Sequence, residues 1–413
     1  MKTGFLTRNI LAAFGWLPKA LLASPFVFAA ALGAPQAAAQ IATGTVMVST
    51  GNGRVTEFTQ TGTIVTQINT TTGSLNTTGS AFDSAGNFFV TDFQAQALSK
   101  FDPTGVLVAA NFAGPFNADP ESIVFDASGN FYVGQASGTK HILKFAPSGT
   151  LLATFAPATE SGGTNWIQLG ADQCTLYYTS RGKDVLTFNA CTNIQGPNFN
   201  KVPLPGGVAF ALRLLPAGGM LVADNDFIVR LDASGNQIET YHLPAINLFA
   251  LSLDPDGTSF WTADPVHVFK VDINSGALLQ NWFATGEPNF VGVGGLAVKG
   301  EIIVSNLPTC SSGDAILVNE KFVSPTLTYD ISSPTRVMTS ISIVSTTNIA
   351  SSTLPTIDGT GHKATGGSFT KADPTKRATF TLQVNSGPAF ACTIDPTIKK
   401  GHKDTDRFLN NKD

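Results

Sequence analysis

The stretch that decides the fold is Val124-Phe125-Asp126-Ala127-Ser128-Gly129-Asn130-Phe131-Tyr132-Val133, followed by Lys144-Phe145-Ala146-Pro147-Ser148-Gly149. An apolar run meets an Asp-x-x-Gly turn, in which the carboxylate accepts backbone N–H groups and the glycine takes positive φ. A second run, rich in aromatic and β-branched residues, has the composition of a strand. A third apolar run ends in another glycine turn, and a fourth follows at Leu151-Leu152-Ala153-Thr154-Phe155. Four such strands form an antiparallel sheet with two apolar faces, and one unit alone cannot bury both.

The unit recurs along the chain. The third-strand element is found at Glu57-Phe58 to Gly62, Lys100-Phe101-Asp102-Pro103-Thr104-Gly105 and Lys144 to Gly149. It returns at Thr187-Phe188-Asn189-Ala190-Cys191, Arg230-Leu231-Asp232-Ala233-Ser234-Gly235 and Lys270-Val271-Asp272 to Gly276. The first-turn element is found at Phe82-Asp83-Ser84-Ala85-Gly86, Leu215 to Gly219 and Leu253-Asp254-Pro255-Asp256-Gly257, and is degenerate at Gln168 to Cys174. A spacing of roughly 43 residues fits compact four-stranded blades and is short for kelch-type ones. Copies of this kind pack face to face around an axis, so the chain reads as an all-β protein with a β-propeller at residues 40–306. Two closures fit. One has six blades, with 294–298 completing the N-terminal blade. The other has seven, with Glu301-Ile302-Ile303-Val304-Ser305 as an additional strand.

Residues 307–398 lose the repeat and read as a small β-sandwich, with runs such as Thr379 to Val384 between Ser/Thr/Gly/Pro-rich turns. Within it, 352–376, carrying Gly359, Gly361, Gly366 and Gly367, reads as a long flexible loop. Residues 399–413 read as a flexible, solvated tail, where Lys399, Lys400, Lys403, Arg407 and Lys412 are diluted by Asp404, Asp406 and Asp413.

The N-terminus reads as a signal peptide. Lys2, Arg8 and Lys19 are its positive region, Leu21 to Gly33 its apolar stretch, and Ala37-Ala38-Ala39 a cleavage site before Gln40. The competing reading is an uncleaved anchor helix, but Pro25 breaks a run already short for a span. Cleavage makes the protein secreted or periplasmic, with no transmembrane anchor left. It also moves the formal charge from −4 to −7, since residues 1–39 hold three Lys/Arg and no acid. That acidic balance excludes an electrostatic footprint for nucleic acid. Charged residues are only 13% of the chain, which suits short strands and tight turns. Four cysteines are expected to form disulfides in an oxidising compartment. Cys174 opens a second strand and Cys191 ends the third of the same blade, so those two ends lie side by side in a hairpin. Cys310 and Cys392 then pair with each other. Neither pair has the spacing of a zinc ribbon or a thioredoxin motif.

The repeat residues quoted above, together with Gly170 to Ser180, Cys191-Thr192 and Phe210 to Gly219, resemble exported bacterial NHL-like repeat propellers. The resemblance covers roughly residues 44–306 and is specific for fold. This superfamily hosts lactonases, lyases, sugar binders and scaffolds. Gluconolactonase-like members hold a divalent cation such as Ca²⁺ on Glu, Asn and Asp oxygens at the channel mouth. The matching positions here are Glu121, Asn165 and Asn247, with Asp119 near, while Thr77-Thr78, Val208-Ala209 and Val291-Gly292 supply no carboxylate. The family's usual N-G-L-A segment is missing. The plainer reading of those residues is backbone capping at strand starts. Virginiamycin-lyase-like members use His and Glu on a similar ring. His141, His242, His267, His362 and His402 are scattered and none starts an inner strand. Trp166, Trp261 and Trp282 read as core rather than as a carbohydrate platform. No G-x-S-x-G, H-E-x-x-H, phosphate loop or dinucleotide fingerprint is present, and no catalytic residue is assigned. Two functions follow. One is a binding or interaction scaffold for a protein, a glycan or an envelope component, with no cofactor. The other is a metal-dependent lactonase-type hydrolase or lyase at the channel mouth.

Overall fold

The structure is a computed structural model describing residues 39–286, 290–304, 307–312, 316–318, 321–322, 326–333, 338–373, 378–385, 389–394 and 406–408. The expected signal segment lies outside these residues, Ala39 apart. Among the described residues no helix is long and apolar enough to cross a membrane.

Residues 46–298 build six four-stranded antiparallel sheets, each running outward from an inner strand. The inner strands, in ring order, are Gly295–Val298, Thr77–Phe82, Pro120–Phe125, Ile167–Leu169, Ala209–Leu214 and Ala250–Leu253. Each packs beside the next, and the last beside the first, so the sheets form a closed β-propeller. We number the blades 1 to 6 in that order.

The first turns of blades 2 and 3 have the expected chemistry. Asp126 accepts the backbone N–H groups of Ser128 and Asn130, both at 2.9 Å, and the Asn130 side-chain amide at 2.8 Å. Asp83 does the same in blade 2. The glycines of these turns, Gly86 and Gly129, sit at φ 88° and 80°, where a Cβ is strained. Aromatic side chains then fill the spaces between blades. Phe89 meets Phe125 edge-on at 5.1 Å, and Phe131 stacks on Phe145 at 5.2 Å.

Blade 1 takes its inner strand from the far end of the repeat. Gly295–Val298 pairs antiparallel with Val46–Gly51, Val46 opposite Val298 and Ser49 opposite Gly295. Leu296 and Val298 are fully buried with Val46 and Val48, each worth ~2 kcal/mol in apolar burial. The strand expected at Glu301 to Ser305 does not form in its described residues, 301–304. Glu301 instead turns under the ring. Its Oε1 accepts from Arg213 Nε at 2.6 Å and from the Leu253 N–H at 2.8 Å. The Glu301 backbone N–H is spent in a turn, on the Val298 carbonyl oxygen at 3.0 Å, so the chain leaves the sheet direction there.

From residue 309 the chain forms three further sheets. One runs Thr309–Ser312, Thr326–Ser332, Lys363–Lys371, Ile349–Thr353, with Thr356–Ile357 also on Lys363–Lys371. A second runs Ile341–Thr347, Ala378–Val384, Ala389–Ile394. They face each other through Tyr329, Phe369 and Phe380, with the Tyr329 and Phe380 rings 4.9 Å apart. The Cys310–Cys392 disulfide joins them. Ile302 and Leu307 carry this core into that of blades 5 and 6. Two expectations change here. Of the expected loop 352–376, the described residues 352–373 are more than half strand, because Phe369 anchors Lys363–Lys371 in the core. Within the expected tail, Asp406–Phe408 pairs with Ile316–Val318, which also pairs Lys321–Phe322 in the third sheet.

Candidate functional site

Four residues before the end of each inner strand, one residue stands at the mouth of the channel. Around the ring these are Gly294, Thr78, Glu121, Asn165, Phe210 and Phe249. The set divides into a polar arc on blades 2 to 4 and an apolar arc on blades 5, 6 and 1. Gly294 has no side chain because none fits. A Cβ there would lie 2.2 Å from the Thr77 carbonyl oxygen.

Glu121 and Asn165, both named from the sequence, are brought together. Asn165 is 1% exposed and donates its side-chain Nδ2 to Glu121 Oε2. Its own Oδ1 is buried with no hydrogen-bond partner. Burial pushes the Glu121 carboxyl up to about 7, against the pull of the Asn165 hydrogen bond and the Arg181 charge, and Asp119 pushes it further. Asp119 is held in a left-handed turn, φ 37°, with its carboxylate taking the Ser137 hydroxyl. Thr78 spends its hydroxyl within the wall, 2.8 Å from Thr91 Oγ1 and 3.3 Å from the Pro120 carbonyl oxygen.

Asn247 does not join them. It is exposed, and its backbone N–H bonds Asp226 at 2.8 Å. Phe249 holds the matching position. Its ring meets Phe210 at 6.2 Å in an edge-on pair, and the Arg181 guanidinium lies 5.6 Å from the Phe210 ring. The oxygen donors assembled at the mouth are therefore one carboxylate and one amide, with phenyl rings on the next two blades. Among the described residues no three His, Cys, Asp or Glu side chains converge as a metal site. This donor set does not fit the multi-oxygen cage that a hard divalent cation requires.

Sequence reasoning missed Arg181, Phe210 and Phe249 at the mouth. It placed the starts of blades 5, 6 and 1 about two residues early, at 208–209, 247 and 291–292. Counting back four residues from Leu214, Leu253 and Val298 would have found Phe210, Phe249 and Gly294. The tryptophans are packing residues as expected. Trp166 and Trp261 are 2% and 0% exposed, and Trp282 packs on Phe58 at 4.5 Å. His267 starts the third strand of blade 6 and pairs with Asp264 at 3.1 Å, away from the inner strands. The cysteines pair as expected, Cys174 with Cys191 and Cys310 with Cys392.

No family model and no curated protein matches the chain. The fold has solved counterparts. A protein of unknown function from Bacteroides caccae superposes with a TM-score of 0.50 at 15% identity, over 62% of this chain and 98% of its own. A chain of a nidogen/laminin complex gives 0.48 at 14% identity, over 62% and 98%. At 15% identity the first is a likeness of fold alone.

Proposed function

We propose that this is an exported NHL-like propeller that binds its ligand at the channel mouth without transforming it. The observation that supports this is the divided ring: the Phe210–Phe249 pair adjoins the Glu121–Asn165 pair around the mouth, with Arg181 at the boundary. A set of side chains of this kind takes an apolar or aromatic group on one side and fixes a polar neighbour on the other. A protein, a glycan derivative or an envelope component that carries such a group suits it. The two disulfides support an oxidising compartment, and the Ala37-Ala38-Ala39 site supports export by a cleaved leader.

The test uses 8-anilinonaphthalene-1-sulfonate, an aromatic anion, in a fluorescence titration of the folded protein. Phe210→Ala and Phe249→Ala are expected to weaken its binding about tenfold each, or ~1.4 kcal/mol. Arg181→Ala weakens it by removing the counter-charge. Binding strengthens as pH falls through 7, because Glu121 loses its repelling charge, and Glu121→Gln removes that dependence. Binding unchanged in all four variants overturns the reading.

The second reading, a metal-dependent lactonase-type hydrolase, has the Glu121–Asn165 pair in its favour. It needs several oxygens on the cation and an open position for substrate. Calorimetric titration with Ca²⁺ and an aldonolactone assay decide between the two. The expected result is no metal-dependent turnover. Tight Ca²⁺ binding abolished by Glu121→Gln, with turnover, reverses the ranking.

A further inference from the structure

We infer that Gln40 becomes the amino terminus of the exported protein and closes on itself to a pyroglutamyl residue. This rests on the export reading above and goes beyond it. The sequence places Gln40 directly after Ala37-Ala38-Ala39. The structure shows where the ordered chain takes hold. Ile41 is 6% exposed and its N–H bonds the Pro103 carbonyl oxygen at 2.8 Å. Gly44 then bonds the Lys299 carbonyl oxygen at 2.8 Å. Ala39 and Gln40 are both exposed, one residue outside that anchor. A peptidase can therefore reach the 39–40 bond without disturbing the propeller, and cleavage leaves a glutamine whose side chain is free of the core.

An amino-terminal glutamine carries its own electrophile. The α-amine lone pair attacks the side-chain Cδ, and the N–Cδ bond forms as the Cδ–Nε2 bond breaks. Ammonia leaves with the proton that the amine gives up. No oxidant, cofactor or second substrate is required. Gln40 lines a cleft of about 640 Å³ on the turn side of the ring, together with Phe82, Lys299 and Glu301. The Lys299 ammonium already occupies that cleft, 4.4 Å from the Phe82 ring and bonded to the Gly86 carbonyl oxygen at 3.2 Å. Burial there holds the Lys299 amine below its usual range. Three carboxylates also line the cleft: Glu301, paired with Arg213, Asp126, paired with Lys144, and Asp83, whose charge attracts Lys299. A free Gln40 amine would bring a terminal charge to the edge of this cleft. The lactam removes it and leaves Ile41 anchored.

The test is intact-mass and amino-terminal peptide analysis of the full chain expressed with its leader in an exporting host. The expected product starts at Gln40, lacks one ammonia relative to the cleaved sequence, and resists stepwise amino-terminal degradation. Pyroglutamyl peptidase should then expose the Ile41 amine. Gln40→Ala should be cleaved at the same bond, keep its full mass and degrade normally. A mature chain that begins at Gln40 and keeps its free amine after prolonged neutral incubation overturns the modification and leaves export standing. A secreted chain that begins elsewhere overturns the modification and the cleavage at Gln40 while leaving export standing, and a chain retained with Met1 overturns both.

Discussion

Blades 1 and 4 lie across the ring from each other, and each lacks something that the other blades have. Blade 1 lacks an inner strand of its own. Blade 4 has all four strands in one stretch, but its first turn has Gly170 where blade 3 has Asp126, and its fourth strand is only Ile194–Gln195. The repairs differ. Blade 1 borrows Gly295–Val298 and is locked to blade 6 by side chains, with Phe58 against Trp282 and Gln60 against both Asp254 and Lys270. Blade 4 is tied covalently, Cys174 to Cys191. The Gln195 side chain adds bonds that a longer strand would make, accepting from Ala158 N–H at 2.9 Å and donating to the Thr187 carbonyl oxygen at 2.8 Å. A missing backbone ladder can be replaced by topology or by chemistry, and the cost of failure differs. Losing blade 1 opens the ring, whereas losing the staple loosens one sheet.

The largest expected effect is therefore at the closure. Leu296→Asp puts a charge into a fully buried position between Val46 and Val48. It is expected to cost about 4 kcal/mol or more, and to abolish a single cooperative thermal transition. Calorimetry of this variant beside Ile167→Asp, at a buried inner-strand site of blade 4, sharpens the contrast. If the blade 1 variant melts like the parent, the ring is not closed by that strand.

Next in size is the staple. Its ends are 17 residues apart, and removing both sulfurs by Cys174→Ser with Cys191→Ser is expected to lose about 3 kcal/mol in the chain-entropy account. The reference is Asp126→Ala in blade 3, which removes three turn hydrogen bonds and the 3.2 Å Lys144 ion pair, at about 1–2 kcal/mol. Urea titrations measure both. If the blade 3 change is the costlier, the disulfide is not what compensates blade 4.

The same contrast explains what could be read from the sequence. Blades 2 and 3 were legible because Asp83 and Asp126 announce their turns and fix the register of both flanking strands. The closure was legible because Gly295 to Val298 has an inner-strand pattern with no partner of its own. The candidate site was legible only on blades 2 to 4. The segments before blades 5, 6 and 1 contain Gly206-Gly207, Asn247 and Gly292, which read equally well as a strand start or as its preceding turn. Glycine and asparagine tolerate both conformations, so register slipped toward them and away from Phe210 and Phe249. Arg181 was out of reach of pattern reading, since it comes from the loop after a second strand and arrives at the mouth only through the fold. Residues beyond 309 pair across long separations, as Ile316–Val318 does with Asp406–Phe408, and no local period marks such partners.

The smallest effect tests the polar arc. The folded protein holds the Glu121 carboxyl at about 7, above its ordinary 4.5. A carboxyl raised by folding binds its proton more tightly in the folded state. Its contribution is therefore fully favourable below about pH 4.5, is lost as pH climbs toward 7, and remains lost above it. Glu121→Gln keeps an oxygen for the Asn165 amide and cannot ionise. The variant is expected to melt about 1–2 °C above the parent near pH 8, corresponding to ~1 kcal/mol after allowance for partial exposure. Because Glu121 is protonated in both states below pH 4.5, the two melting curves should converge there. No comparable pH effect is expected from Phe249→Ala on the apolar arc, which has no titrating group. Scanning calorimetry across that range checks both variants. A Glu121→Gln advantage that persists unchanged into acid would mean that packing, rather than the buried charge, separates the two proteins, and would remove the basis for a pH-dependent mouth.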